Sequence, residues 1–177
     1  DSEPIYVEYH DNEWGRVIKD DRLLFERISL EGMQAGLSWI TVLKKREAFR
    51  ESFYHFDIAK VASLKEEEVL PILLQNEKLI RSKSKLLSII KNARIVQKMQ
   101  KNGESLTDFL WSFAPDDPFK YVGSEPVAQT IESEMMSKAL KKKGFTYIGP
   151  VICYALMQAV GMVQDHLEEC HLHRKKL

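Results

Sequence analysis

The chain has 177 residues, a length that suits one domain or two closely joined lobes. Lys plus Arg and Asp plus Glu number 26 each, so the formal net charge is zero. That excludes a protein that coats nucleic acid through bulk charge and leaves room for a local basic face.

The two cysteines, Cys153 and Cys170, are too few for a disulfide framework and point to a reduced intracellular compartment. No apolar run is long enough to span a bilayer and no signal peptide is visible, so a membrane partner is not expected. The sequence opens on Asp1 without Met, which points to residues upstream.

In chain order the pattern is helical almost throughout. Asp20 or Asp21 can cap a helix whose apolar face includes Leu23, Leu24, Ile28 and Met33, and Gly36 breaks it. Ser38 caps a second helix, with Val42, Phe49 and Phe53 at helical spacing. Asp57 caps a short helix ending near Leu64, and Lys65 to Gln75 reads as another. Lys83 to Lys101 is long and amphipathic, with Leu86, Leu87, Ile90 and Ile95 inward, and Asn102-Gly103 stops it. Ser105 to Phe113 is one more short helix. Ala114 to Gln129 carries Pro115, Pro118, Gly123 and Pro126 without a period and reads as a surface loop. Helix resumes over Ile131 to Lys143, and Pro150 suits the first turn of a last helix running to about Met162. Strand signals are weak everywhere, there is no internal repeat, and the class is all-α, read as one domain over 1–177.

Between the last two helices stands Leu140-Lys-Lys-Lys-Gly-Phe-Thr-Tyr-Ile-Gly149. Gly144 and Gly149 let the backbone approach another surface, and the new helix points free N–H groups outward beside Lys141, Lys142 and Lys143. This hairpin, within about 138–162, is suited to gripping phosphates without reading sequence. The alternative is an ordinary helix–turn–helix connection with solvated lysines.

Tyr9-His-Asp-Asn-Glu-Trp-Gly15 and Leu30-Glu-Gly-Met-Gln-Ala-Gly-Leu-Ser-Trp39 each place aromatic rings near polar groups in or beside a turn. An enzyme acting on a base takes it out of the duplex and holds it between flat side chains. Tyr9, Trp14 and Trp39 can form such walls, and Glu31, on the last turn of its helix, can accept hydrogen bonds from an adenine amino edge. Against this, Trp and Tyr often only anchor a core, and a Glu on an amphipathic helix is usually a solvated surface residue. His166 and Cys170 are four apart, so on a helix they share one face, a spacing that suits tetrahedral zinc.

These motifs, with Asp108-Phe-Leu-Trp-Ser-Phe113, Leu140 to Phe145, Gln164-Asp-His166 and Cys170, resemble the type I 3-methyladenine DNA glycosylases over nearly the whole chain. The resemblance implies a helix-hairpin-helix glycosylase fold with a DNA groove between helical lobes. It implies a monofunctional DNA repair hydrolase that cuts alkylated adenine from double-stranded DNA and releases free 3-methyladenine. It assigns Glu31 to the extruded base, the catalytic position. Tyr9 and Trp39 line the pocket and stack on the base, with Tyr6 and Trp14 close by. Gly36 and Leu37 match the loop that wedges into the duplex. With the hairpin residues Lys142, Lys143, Gly144 and Gly149 they form the expected DNA-binding set. The resemblance also implies a structural zinc that ties the chain ends, with His10, His166 and Cys170 as ligands. The family's fourth ligand, a Cys near the N-terminus, and one pocket Trp fall before the first residue of this sequence. His171 and His173 have no counterpart and read as exposed.

The expected chemistry needs little acid catalysis, because the alkylated base already carries positive charge; binding of the departing base supplies most of the rate. Asp165 reads as a helix-end or supporting residue rather than a catalyst. Pro150-Val151-Ile152 stands where bifunctional relatives place a nucleophilic Lys, so no Schiff base is expected. A monomeric, cytoplasmic bacterial enzyme is the expectation. The competing readings are a lesion-binding protein that does not cut and a purely structural zinc-tied module.

Overall fold

The computed structural model describes residues 3–122 and 126–173, which leaves Gly123 of the Ala114 to Gln129 loop outside the described residues. Among the described residues there are nine α-helices and no strand: α1 Pro4–Asn12, α2 Asp21–Met33, α3 Trp39–Ser52, α4 Ile58–Ala62, α5 Glu66–Gln75, α6 Lys83–Lys101, α7 Leu106–Trp111, α8 Ile131–Lys143 and α9 Pro150–Ala159. Among the described residues no helix is long and apolar enough to cross a membrane.

Capping chemistry fixes most boundaries. The carboxylate of Asp20 accepts from the Leu23 amide, Asp57 from the Lys60 amide and the Ser105 hydroxyl from the Asp108 amide. Thr130 and Ser133 form a reciprocal capping box at the start of α8. Gly144 closes α8 at φ 98°, a left-handed conformation that glycine adopts without a steric penalty.

Several elements differ from the sequence reading. α1 falls where only a turn was expected; Pro4 sits in its first turn and Tyr9 is its one buried residue, so it shows no apolar period. α7 stops at Trp111 and α9 at Ala159, shorter than read. Leu23 is exposed rather than inward, and Leu87 and Ile95 are only half-buried. The segment after α9 is turn and coil, so His166 and Cys170 do not share a helical face.

α2 is the central helix. It packs against α3, α6, α7 and α9, and every residue from Leu24 to Met33 is buried. Around its first half lies an aromatic cluster: Phe25 meets Phe56 edge to face at 5.9 Å, and Phe53 stacks between Phe49 and Phe56. On the other side the segment after α1 meets the end of α9: the Gly15 amide donates to Ala159 O and the Ile18 amide to Val160 O. Residues 164–173 return from there toward α1.

Candidate active site

A helix buried on all sides should carry apolar residues all round. α2 instead buries Glu26, Arg27, Ser29 and Glu31. Burying an ion is expensive unless it is paired. Glu26 meets that requirement through Arg50, whose Nε and Nη2 both donate to Oε1 at 2.8 and 2.6 Å. Arg27 meets it through Glu13 at 2.5 Å, and Arg46 grips the same carboxylate with two bonds of 2.8 and 2.9 Å. Glu31 does not. It is 3% exposed, no cation lies within ion-pair distance among the described residues, and its Oε2 has no hydrogen-bond partner. Burial pushes its carboxyl up to about 8, with the Arg27 guanidinium one turn earlier pulling the other way.

Glu31 faces a cavity of about 400 Å³, a size that suits a small ligand. Its wall includes Tyr6, Tyr9, Trp14, Gln34 and Trp39. The rings of Tyr9 and Trp39 touch, with centroids 5.3 Å apart and planes at 46°. They form one angled wall rather than two opposed plates. Trp39 Nε1 is also buried without a partner. Glu31 and Trp39 thus each bring to the cavity wall a buried polar atom without a protein partner, an acceptor on Glu31 and a donor on Trp39. Burial raises the Tyr9 phenol, which keeps it neutral, and the Arg27 guanidinium lies 5.5 Å from that ring.

Gln34, Gln158 and Asp165 also line the cavity and were given no pocket role in the sequence reading. Gln34 was legible: it lies three residues after Glu31, on the same side of the helix end. Nothing local marks the other two. Asp165 accepts from Tyr154 Oη at 2.7 Å and from Gln158 Nε2 at 2.6 Å, so it is held as a supporting group.

His10, His166 and Cys170 converge on the wall of the same cavity. Cys170 Sγ lies 3.6 Å from His10 Nε2 and 3.6 Å from His166 Nδ1, and one ligand atom from each falls within 4.8 Å of the others. His10 Nδ1 meets Asp11 Oδ1 at 2.8 Å, which orients the ring. Trp14 stacks on His10 and meets His166 edge-on, so it touches both the cavity and this cluster. The pair His166 and Cys170 is brought together by a turn, not by helical spacing. His171 is exposed as read, whereas His173 is half-buried, its Nδ1 2.8 Å from His166 O.

The hairpin stands behind the cavity. A Cβ on Gly32 would meet Tyr147 at 3.2 Å, so the end of α2 packs directly on it. Gly149 has an ordinary φ of −60° and caps α9, leaving the first amides of that helix outward. Lys141 and Lys142 are exposed, but Lys143 is half-buried, paired with Glu104 and placed over the Phe109 ring at 4.8 Å. Of the three lysines expected to face phosphates, Lys143 is the one that carries an ion pair among the described residues, to Glu104 of the neighbouring loop. Gly36, at φ 75°, and Leu37, 41% exposed, form the turn at the cavity end of α2.

A family model for methyladenine glycosylase matches residues 1–174. DNA-3-methyladenine glycosylase 1 of Escherichia coli K12 is 50% identical over 171 residues, covering 95% of this chain and 91% of that protein. The crystal structure of a 3-methyladenine DNA glycosylase I superimposes with TM-score 0.93 at 48% identity, covering 98% of this chain and 97% of that one. A single-substitution variant of such an enzyme, solved in complex with 3-methyladenine, superimposes with TM-score 0.90 at 32% identity over 99% and 95% of the two chains. With this match, and with the helix-hairpin-helix element and the aromatic cavity in place, the chain belongs to the methyladenine glycosylase family.

Proposed function

We propose that this protein hydrolyses the N-glycosidic bond of 3-methyladenine in alkylated DNA and releases the free base. The observation that carries the reading is the unpaired buried carboxylate of Glu31 in an aromatic cavity. An adenine amino group satisfies Glu31 Oε2, and a ring nitrogen satisfies Trp39 Nε1. Tyr9 and Trp39 cover the ring on one side, with Tyr6 and Trp14 at the margins. A base without that polar edge leaves a buried group unpaired, which is the source of discrimination.

The alkylated base leaves readily, so the pocket works by holding it as the bond lengthens and its charge is neutralised. Among the described residues no lysine lines the cavity. The exposed turn at Gly36-Leu37 suits a wedge into the duplex. The outward amides of α9, together with Gly144, Gly149, Lys141 and Lys142, suit phosphates. The decisive experiment is release of free base from methylated duplex DNA. Release of 3-methyladenine is the expected result; binding without release would leave a lesion-recognition protein instead.

His10, His166 and Cys170 fit a zinc ion, since two imidazoles and a thiol converge within a ligand sphere. Bound zinc would tie α1 to the C-terminal segment and would take no part in the reaction. A protein with near-stoichiometric zinc that loses it, and melts earlier, on Cys170→Ala supports the site. Metal retained by that variant rules it out.

A further inference from the structure

Among the described residues, the turn carrying Leu37 has one long-range polar tie. Lys85 Nζ, half-buried in the first turn of α6, donates to Met33 O at 2.9 Å and to Ala35 O. These carbonyls lie at the end of α2, where the last helical acceptors have no partner within the helix and the dipole is negative. A cation in the first turn of α6 is disfavoured by the dipole of α6 itself. The α2 carbonyls account for its placement there.

Beyond Gln34 the turn is held weakly from within. Gln34 itself remains helical, its amide donating to Leu30 O and Glu31 O, while the Ala35 amide donates to Gly32 O at 3.4 Å and the Leu37 amide back to Gln34 O at 2.7 Å. No neighbouring group fills the space beside Gly36.

The same face of α6 also holds the hairpin. Ser84 Oγ bonds Tyr147 Oη at 2.6 Å, and Asn92 donates to Thr146 O and accepts from the Thr146 amide, both at 3.1 Å. One 19-residue helix, packed on α2, α4, α5 and α7, therefore touches both elements assigned to DNA.

We propose that Lys85 is a positioning residue for duplex engagement: it locks the 34–38 turn in register with the hairpin, so that Leu37 enters the duplex while the hairpin holds the phosphates. The inference rests on the wedge reading of Leu37 given above. It requires no contact between Lys85 and DNA.

The test uses the full chain with Lys85→Met, which keeps the stem and removes the donors. Leu37→Ala serves as the benchmark for the wedge and Lys142→Ala as the benchmark for a phosphate contact. Four quantities are read: base release from duplex, base release from the same strand unpaired, binding of free 3-methyladenine, and the salt slope of binding to undamaged duplex. Lys85→Met should lose about tenfold on duplex, about 1.4 kcal/mol. It should change little on the single strand or the free base and keep the wild-type salt slope. Lys142→Ala should lower that slope by about 0.9.

A similar drop in slope for Lys85→Met makes Lys85 a phosphate contact and overturns the proposal. Equal losses on duplex, single strand and free base make it a support of the pocket and also overturn it. Full duplex activity in Lys85→Met with loss in Leu37→Ala leaves the wedge standing and removes Lys85 from it. Full activity in both variants removes the wedge reading and the proposal with it.

Discussion

Two carboxylates of α2, Glu26 at its middle and Glu31 near its C-terminal end, are buried equally and treated oppositely. Glu26 and Glu31 are each 3% exposed. Glu26 is closed off by two bonds from Arg50, with Arg22 3.7 Å away. Among the described residues Glu31 has neither an ion-pair partner nor a hydrogen bond to Oε2. A buried pair is a folding device that asks nothing of a ligand. A buried carboxylate left open destabilises the apo protein, and that cost becomes binding selectivity when the right base supplies the missing donor. The contrast teaches that burial alone does not mark a site; burial without a partner beside a cavity does.

The comparison breaks most visibly at Glu26. Glu26→Gln should cost about 3 kcal/mol in denaturant unfolding, the low end for breaking a buried pair, because Arg50 is partly solvated and retains Glu47. Free 3-methyladenine should still bind that variant with wild-type affinity, since Glu26 does not line the cavity. Loss of base binding without loss of stability would reverse the roles assigned to the two carboxylates.

A smaller effect, of opposite sign, is expected at Glu31. Its folded carboxyl titrates at about 8 against an ordinary 4.5. Between those values the folded state holds a proton that the unfolded chain has released. Stability therefore falls as pH rises through that window. Glu31→Gln cannot titrate, so its melting temperature should gain on wild type between about pH 5 and pH 8. A gap that does not change with pH would mean that Glu31 is not the buried, unpaired group described here.

Much of this architecture was legible where local chemistry acts alone. α6 and α8 keep the bounds read from their amphipathic pattern and their stops, and Asp20 and Asp57 cap as expected. Tertiary packing hid the rest. α1 buries only Tyr9 and owes its place to packing on α3, so no apolar period announces it. α2 reads as an amphipathic helix with charges outward, yet it is enclosed on all sides, and only the partners Arg50 and Glu13 reveal how its charges are accommodated. The motif containing Glu31, Gly36 and Leu37 marked the right region, but the angled contact of Tyr9 with Trp39 belongs to the fold. His166 and Cys170 met through a turn, where helical spacing was the wrong reason for a correct proximity. Lys143 shows the reverse: three consecutive lysines look equivalent in sequence, and one is taken by Glu104.

The affinity of Glu31→Gln for free 3-methyladenine is to be measured by calorimetric titration beside wild type above pH 8, where the buried wild-type carboxyl is ionised. A loss of about 1.5–3 kcal/mol is expected, from the charged acceptor replaced in part by a donor, in a protein with an unchanged circular dichroism spectrum. Wild-type affinity in Glu31→Gln, with excision of 3-methyladenine at the wild-type rate, would contradict it.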